Sequence, residues 1–262
     1  MRMPMIFVGH GSPMNAIQEN AFTRSLEVLG KRLPAPEAIC VISAHWVTRG
    51  CHVLAVDWPR TIHDFYGFPR VLYGVKYPAP GAMAEAKRLA MEQHLKVDHE
   101  WGLDHGAWSV LRHMYPKADV PVFQVSLDHE KTLAEHVALG RELQKLRERG
   151  VLILGSGNVV HNLHRINWEM PNGAYPWAEE FDQKVKRAIE ERDVEALAAP
   201  EKWGSELLGE AHPTLEHYAP LLYCLGAVQE KDEVSFPYEG MEFGTISMRM
   251  ALFATPGPEG SN

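Results

Sequence analysis

The sequence predicts an α/β fold, a single domain in which helices flank a central, mostly parallel or mixed β-sheet. Short apolar runs rich in β-branched residues are typical of strands that are buried on both faces of a sheet. These runs alternate with segments of helical periodicity, the order found in sheets that helices cover. The 262 residues, 45% hydrophobic and 23% charged, suit one large globular domain. We expect the domain to span residues 1–262, with a loose tail from about residue 255.

Three strands and one helix are predicted before residue 57. Met5–Val8 is an apolar run that ends at a glycine-rich turn, and Ala38–Ser43 is a second run that follows two prolines. Between them, Ala21–Leu33 is predicted to be a helix, because its apolar residues recur at spacings of three and four. His52–Val56 is a short run that could pair beside the second strand.

The middle of the chain is predicted to hold three helices and one strand. Apolar residues at helical spacing indicate helices at Ala82–His94 and Ala107–Met114, and Pro121–Leu127 is an apolar run typical of a strand. Lys131–Arg149 is the clearest helix. It ends at Gly150, since glycine adopts the left-handed conformation of a helix end at little cost.

The last part of the chain repeats the alternation. A strand is predicted at Val151–Leu154, where the turn Gly155–Asn158 stops it. Helices are predicted at Ala178–Glu191 and Thr214–Leu225, and a closing strand at Gly244–Phe253.

Charge and composition exclude several classes of protein. With 26 basic and 34 acidic residues the net charge is −8, which is not the footprint of a general nucleic-acid binder. No apolar run reaches the ~18 residues of a membrane span, and the first residues leave no room for a signal peptide. The three cysteines cannot all pair and lie in apolar surroundings, which predicts reduced thiols and a cytoplasmic location.

Histidine is the compositional outlier, with 14 residues. His10 and His45 are predicted just past the ends of the first two strands, His161 follows the turn after a third, and His217 begins a helix. Ligand sites in open α/β sheets form at the carboxyl ends of strands, and neutral imidazole is the commonest metal ligand. One histidine alone would more often be an ordinary surface residue. The clustering, however, predicts a metal site at the carboxyl rim of the sheet.

Three competing motifs are incomplete. Gly155–Asn158 has neither a GxGxxG fingerprint nor a P-loop lysine, so nucleotide binding is rejected. Ser156 is a conceivable nucleophile of a Ser/His/Asp hydrolase, but the pattern G-x-S-x-G is absent around it. The sequence contains no CxxC pair, which excludes a thiolate zinc site.

Seven blocks of sequence occur in an order that resembles one enzyme family. The blocks are Val8–Met14, Ser43–Trp46, Thr61–Pro69, Tyr77–Gly81, Gly102–Trp108, Gly155–Leu163 and Pro213–Tyr218. In this order they resemble the DOPA-dioxygenase type of class III extradiol ring-cleavage dioxygenase, from about residue 5 to residue 250. Seven ordered blocks are far more specific than any single motif.

The resemblance implies that His10, His45 and His217 hold one divalent metal ion. This ion would be Fe(II) in the active enzyme, or Zn(II) in the protein as purified. It places His161 beside the ion as the acid–base residue, or within bonding distance as a further ligand. Wider class III enzymes hold Fe(II) with two histidines and a glutamate. Here a histidine stands at the third position with Glu216 next to it, so the identity of the metal stays open.

The resemblance also implies that His105 contacts a substrate hydroxyl or bound oxygen; the alternative is a helix start that Asp104 caps. Asp57–Pro80, crowded with Pro, Gly and aromatic residues, is expected to form an extended loop over the site that sets substrate choice. The expected substrate-binding residues are His63, Trp46, Phe65 and Tyr66. His212 is a weaker candidate.

The implied reaction is the O2-dependent cleavage of a small aromatic catechol next to its two hydroxyls, with Fe(II) rather than Zn(II) supporting turnover. His161 would take a proton and later return it. Two other functions fit the same residues: a zinc-dependent hydrolase, and a non-catalytic binding protein on the same fold. The physiological substrate and the oligomeric state stay open.

Overall fold

The computed structural model describes residues 2–256, and a sheet of eight strands runs through its centre. Its first seven strands are β1 (Met5–Gly9), β2 (Ala38–Thr48), β3 (His52–Leu54), β4 (Lys96–Asp98), β5 (Val122–Asp128), β6 (Val151–Gly157) and β7 (Glu233–Ser235). A separate two-stranded sheet consists of β8 (Met241–Glu242) and β9 (Ile246–Ser247), after which β10 (Met250–Ala254) returns to the main sheet. Residues 257–262 of the predicted tail lie outside the described residues.

Helices cover both faces of the main sheet. They are α1 (Ala21–Arg32), α2 (Arg70–Tyr73), α3 (Met83–Gln93), α4 (His105–Met114), α5 (Leu133–Glu148), α6 (Pro176–Glu190), α7 (Val194–Leu197), α8 (Ser205–Ala211) and α9 (Ala219–Gly226). Short 3-10 helices lie at Pro13–Ile17, Leu163–Arg165 and Pro200–Trp203. Within residues 2–256, none of the helices combines the length and the apolar character that a membrane span requires.

The strand order of the main sheet is β4-β3-β5-β2-β6-β1-β10-β7. The four central strands β5, β2, β6 and β1 are parallel to one another. β10 runs antiparallel to β1 and β7, and β3 runs antiparallel to β5. The predicted α/β fold with a mixed sheet is therefore confirmed, and the carboxyl ends of β2, β6 and β1 lie side by side at one rim.

Successive residues of the central strands enter two different apolar cores, because they project to opposite faces of the sheet. Met5 and Phe7 belong to a core shared with residues of α3, α5, α6 and α9. Ile6 and Val8 belong to the core formed with α1 and α4. Since both faces are buried, these strands are continuous apolar runs in the sequence.

Strand β2 is longer than predicted. It continues to Thr48, so His45 lies within the strand and not just past its end. The register of β2 against β5 shifts between Ile42 and Val47, around the segment that carries His45. This irregularity lets a strand that is otherwise fully paired present a polar side chain at the rim.

Strand β6 is also longer than predicted, and the expected turn Gly155–Asn158 is strand as far as Gly157. β1 pairs with β6 through Gly157, and β2 pairs with it through Ser156. Pairing on both sides outweighs the low strand propensity of glycine, which is a tertiary effect that local sequence does not reveal.

The C-terminal elements differ from the prediction in two places. The helix expected at Thr214–Leu225 begins only at Ala219, so His217 lies in the preceding turn. The strand expected at Gly244–Phe253 is divided into β9 and β10, because the backbone N–H groups of Met248 and Met250 donate to the segment 238–240. The elements that were not predicted are short: α2, α7, α8, β4, β7, β8 and the 3-10 helices.

Gly157 is the point at which β6 meets the turn that carries His217. A Cβ at Gly157 would lie 2.1 Å from the backbone oxygen of His217, so the backbone would have to move. We expect Gly157→Ala to lower the free energy of unfolding by about 1–3 kcal/mol in urea denaturation. Gly209→Ala is the control, because a Cβ there has no heavy atom within 4 Å. An equal loss in both variants would contradict the expectation.

Candidate metal centre

Three imidazoles meet at the rim formed by the carboxyl ends of β1, β6 and β2. His10 directly follows β1, and its backbone N–H donates to the oxygen of Gly157 at 3.0 Å. His45 is carried by the last part of β2 and His217 by the turn before α9. One ring nitrogen of each histidine lies within 4.8 Å of those of the other two. The structure therefore brings together the three residues predicted to bind a metal.

The His10 ring is held by a serine of β6. Its Nδ1 lies 3.0 Å from Ser156 Oγ, and that hydroxyl donates to the backbone oxygen of Gly106 at 2.6 Å. Because the serine proton is used in the second bond, His10 Nδ1 carries a proton and donates to Ser156. The lone pair of His10 is therefore on Nε2.

Carboxylates hold the other two rings in the same way. His217 Nδ1 lies 3.2 Å from Glu216 Oε1, and His45 Nδ1 lies 3.3 Å from Asp64 Oδ2. An ionised carboxylate only accepts hydrogen bonds, so both Nδ1 atoms are the protonated nitrogens. This arrangement, in which an oxygen orients each histidine and leaves Nε2 free, is typical of metal-binding histidines.

The free Nε2 atoms fit a divalent cation. His10 Nε2 and His45 Nε2 are 3.0 Å apart, and His217 Nε2 is buried without a hydrogen-bond partner among residues 2–256. Buried nitrogen lone pairs that face each other are unfavourable unless a donor or a cation lies between them. Three imidazole donors suit Fe(II) and Zn(II) alike.

The protonation states also fit metal binding. Burial lowers the pKa of His10, His45 and His217 well below the usual value of 6.5, and neighbouring imidazoles lower these pKa values further. All three rings are therefore neutral at pH 7. Neutral imidazole is the form that binds a metal ion.

Asp64, from the loop before α2, links two of the site histidines. Its Oδ2 lies 2.8 Å from His105 Nδ1 and 3.3 Å from His45 Nδ1, and its Oδ1 accepts the backbone N–H of His105 at 2.8 Å. Burial alone would raise the pKa of Asp64, but the hydrogen bond and charges of His105 and His45 lower it to about 2. These three donors are also close enough to form a second metal-binding group. Here Asp64 is hydrogen-bonded to His105 and lies at ion-pair distance from His45.

His105 lies at a helix start and close to the three-histidine centre. It is the first residue of α4, and the Asp104 side chain caps this helix by accepting the backbone N–H of Ala107. At the same time its ring centroid lies 3.9 Å from that of His45 and 5.4 Å from that of His10.

His161 lies against the centre. Its ring stacks on that of His217, with 3.4 Å between centroids and 5° between planes. Burial, with smaller contributions from His212 and His105, lowers the pKa of His161 to about 3. His212 is buried behind it, with Nε2 2.6 Å from the oxygen of Val159.

The four expected substrate-binding residues have different surroundings. The Phe65 ring lies 5.6 Å from that of His105, at the edge of the centre. His63 Nε2 is 2.9 Å from a backbone oxygen of its own loop, and Trp46 is 3% exposed and stacks on Trp101. Tyr66 is 92% exposed, so it faces solvent and does not line a pocket wall in this structure.

The sequence analysis did not identify the groups that orient the ligands. Glu216 was noticed only as a neighbour of His217, and Ser156 only as a possible nucleophile. Asp64 follows His63 in the block Thr61–Pro69, which carries the family resemblance. A carboxylate next to a histidine is the sequence signal from which its role could have been predicted. Ser156 gave no such signal, because its partners Gly106 and His10 are remote in the sequence.

Known proteins resemble this chain over nearly its whole length. Residues 4–253 match the family described as the catalytic LigB subunit of aromatic ring-opening dioxygenase. The chain is 47% identical over 252 residues to "4,5-DOPA dioxygenase extradiol" of Escherichia coli (strain K12), covering 94% of this chain and 93% of that protein. It is 37% identical over 257 residues to the protein of the same name from Beta vulgaris, covering 92% of each.

A solved structure shows a similar fold. The crystal structure of an uncharacterized protein from Escherichia coli K12 superimposes with a TM-score of 0.83 at 41% sequence identity. The match covers 97% of this chain and 100% of the other.

Replacing Asp64 by asparagine tests its role in orienting the ligands. Asparagine has one acceptor oxygen in place of two, so the bonds from His45, from the His105 ring and from its backbone cannot all be kept. We expect Asp64→Asn to weaken Zn(II) binding by about 10- to 100-fold in competition with a chromophoric chelator. Asp57→Asn, at an exposed site in the same loop, is the control. Unchanged affinity in Asp64→Asn would show that the carboxylate does not orient a ligand.

Histidines buried in the neutral form should make the metal-free protein sensitive to acid. The pKa values of His161 and His212 are lowered to about 3 and about 4, mainly by burial, whereas histidine in an unfolded chain titrates near 6.5. Below that pH the unfolded state binds more protons, so each such histidine reduces the free energy of unfolding by up to about 1.4 kcal/mol per pH unit. Urea denaturation should show a steep loss of stability from about pH 6.5 to about pH 4. A constant stability over this range would be incompatible with buried neutral imidazoles.

Proposed function

The chain belongs to the LigB family of aromatic ring-opening dioxygenases, and from this we propose that it opens the ring of a catechol such as DOPA beside its hydroxyl pair, using one divalent metal ion and O2. The observation that carries the proposal is the cluster of ring nitrogens from His10, His45 and His217, each ring with its Nδ1 within 3.3 Å of an oxygen. Family membership also decides against the zinc hydrolase and the non-catalytic binding protein.

We propose Fe(II) as the metal that supports turnover. A divalent ion supplies Lewis acidity toward the catechol hydroxyls, and Fe(II) adds a redox route from the ring to O2 that Zn(II) lacks. The donor set supports either ion, since it contains only imidazole nitrogen from His10, His45 and His217. The choice of Fe(II) therefore rests on the chemistry of the reaction.

The chain's own residues would bind the substrate and move its protons. His161 is neutral, with its ring stacked against His217, so it can accept a proton from a catechol hydroxyl. The low pKa of His161 would rise beside an anionic substrate oxygen, because opposite charge favours the imidazolium. The proton is then available for return to an oxygen of the opening ring.

His105 has a different environment and suits a different task. Its Nδ1 donates a hydrogen bond to the Asp64 carboxylate, so its Nε2 is left to face the substrate. The same carboxylate stabilises the His105 ring whenever that ring carries a positive charge. Phe65, packed edge-on against His105, supports an aromatic wall for the catechol ring. His63 and Trp46 stay predicted substrate contacts, whereas Tyr66 faces solvent.

We further propose that the protein works in the cytoplasm, acts on a small molecule and has no nucleic-acid partner. The three cysteines, Cys40, Cys51 and Cys224, are all free. The net charge of −8 is also unfavourable for binding nucleic acid.

The test of the function is anaerobic reconstitution with Fe(II) or with Zn(II), followed by addition of L-DOPA or a simple catechol and O2. We expect oxygen uptake together with a new visible absorbance in the Fe(II) sample alone, and the loss of both in His45→Ala. The absence of uptake with either metal across a panel of catechols would overturn the proposal.

A substitution at His161 separates its two possible roles. If His161 transfers a proton, His161→Ala should lower kcat by about 10²- to 10⁴-fold and leave metal affinity within a few-fold of wild type. A large loss of metal affinity would instead identify His161 as a ligand. His164→Ala, at an exposed position nearby, is the control for both measurements.

A further inference from the structure

The small sheet of β8 and β9 reaches the metal centre through one residue. Glu242 pairs with Ile246, and Ile246 pairs on its other side with His161. Residues directly opposite each other on antiparallel strands project to the same face, so these three side chains form one row. With neighbouring strands about 4.8 Å apart, the backbone of Glu242 lies about 10 Å from that of His161.

The Glu242 carboxyl group is half-buried and has no partner. Ile246 beside it is 4% exposed and belongs to the core formed with α1 and α4. Burial raises the pKa of Glu242 to about 7. Among residues 2–256, no group forms a hydrogen bond or ion pair with this carboxylate, whereas buried Arg249 is already bound to Asp182 and Glu239.

Other buried carboxylates of the protein are compensated. Asp182 binds Arg249 and also accepts the hydroxyl of Ser247 in β9, and Asp232 binds Arg147. A carboxyl group that is partly removed from water without a partner is unfavourable. When such a group lies in line with an active site, it indicates a ligand.

Tyr238, four residues before Glu242, adds an aromatic side chain to the same segment. Burial raises the pKa of Tyr238, and the charge of Glu242 raises it further. The Tyr238 ring is held edge-on by Phe22, with 5.5 Å between centroids. A carboxylate beside an aromatic ring is a favourable environment for an organic cation.

We propose that Glu242 is a specificity residue that binds the protonated amino group on the side chain of a catechol substrate. The inference rests on the proposed function, since it takes the catechol hydroxyls to lie at the three-histidine centre. A ring held there beside His161 would direct its side chain along the row toward Glu242. The length of the row is comparable to the distance from hydroxyl to amino group in an extended arylethylamine. The ammonium would supply the missing partner through a charge-assisted hydrogen bond.

The test compares four catechols that differ in the charge of the side chain. Dopamine carries a cation, L-DOPA a zwitterion, 4-methylcatechol no charge, and 3-(3,4-dihydroxyphenyl)propionate an anion. In the Fe(II)-loaded protein, Glu242→Gln should lower kcat/KM about 10- to 100-fold for dopamine and L-DOPA, mostly through KM. It should leave 4-methylcatechol unchanged and improve the anionic catechol. Glu142→Gln, at an exposed position of α5, is the matched control.

A second variant and a binding measurement keep the test independent of turnover. Glu242→Asp retains the charge, so it should restore part of the preference for dopamine over the anionic catechol. Calorimetry on the Zn(II)-loaded protein should show the same loss of dopamine affinity in Glu242→Gln. An equal change for all four catechols, or a selective loss with the anionic one, would overturn the proposal. If wild-type protein opens none of them, the proposed function itself fails.

Discussion

The register of three parallel strands determines where the imidazoles of the centre lie. β6 runs between β1 and β2, and Ser156 is in register with Val8 on one side and Ser43 on the other. The end of β6 consists of glycine and serine, which leaves space for other chain segments at the rim. At Gly157 the turn that carries His217 approaches so closely that a Cβ would collide with its backbone oxygen. Small residues at the end of the central strand are thus required to bring the three histidines together.

Orientation of the rings is the second requirement, and it is met by groups from three different parts of the chain. Ser156 and Glu216 accept hydrogen bonds from Nδ1 of His10 and His217, and the Asp64 carboxylate lies 3.3 Å from Nδ1 of His45. Because Asp64 belongs to the loop 57–80, that loop has two tasks: it bears aromatic side chains near the centre, and it also orients His45. The loop was expected to affect substrate choice alone. Its contact with His45 means that exchanging the whole loop would also disturb metal binding.

The fold was predictable where local pattern and tertiary environment agree, as in β1 and β5, whose apolar runs are buried on both faces. Prediction was wrong where pairing overrides local pattern. Gly155–Gly157 resembles a turn yet is strand, and His45 lies inside a strand because β5 pairs beyond the bulge. The three predicted ligands follow from the clustering of histidines near strand ends and from the family resemblance, and the structure brings one ring nitrogen of each within 4.8 Å of the others. Asp64 could not be identified in the same way, because its partner His105 is 41 residues away.

The elements that hold the predicted metal ligands differ from those proposed to face the rest of the substrate. The predicted ligands lie directly after β1, within β2 and in the turn before α9. Glu242 lies on the two-stranded sheet, which is joined to the centre through the pairing of Ile246 with His161. Side chains of this sheet can therefore change without altering the register that positions the ligands. A rigid metal centre bordered by small peripheral elements allows the charge preference for the substrate side chain to vary while the ring-opening chemistry is retained.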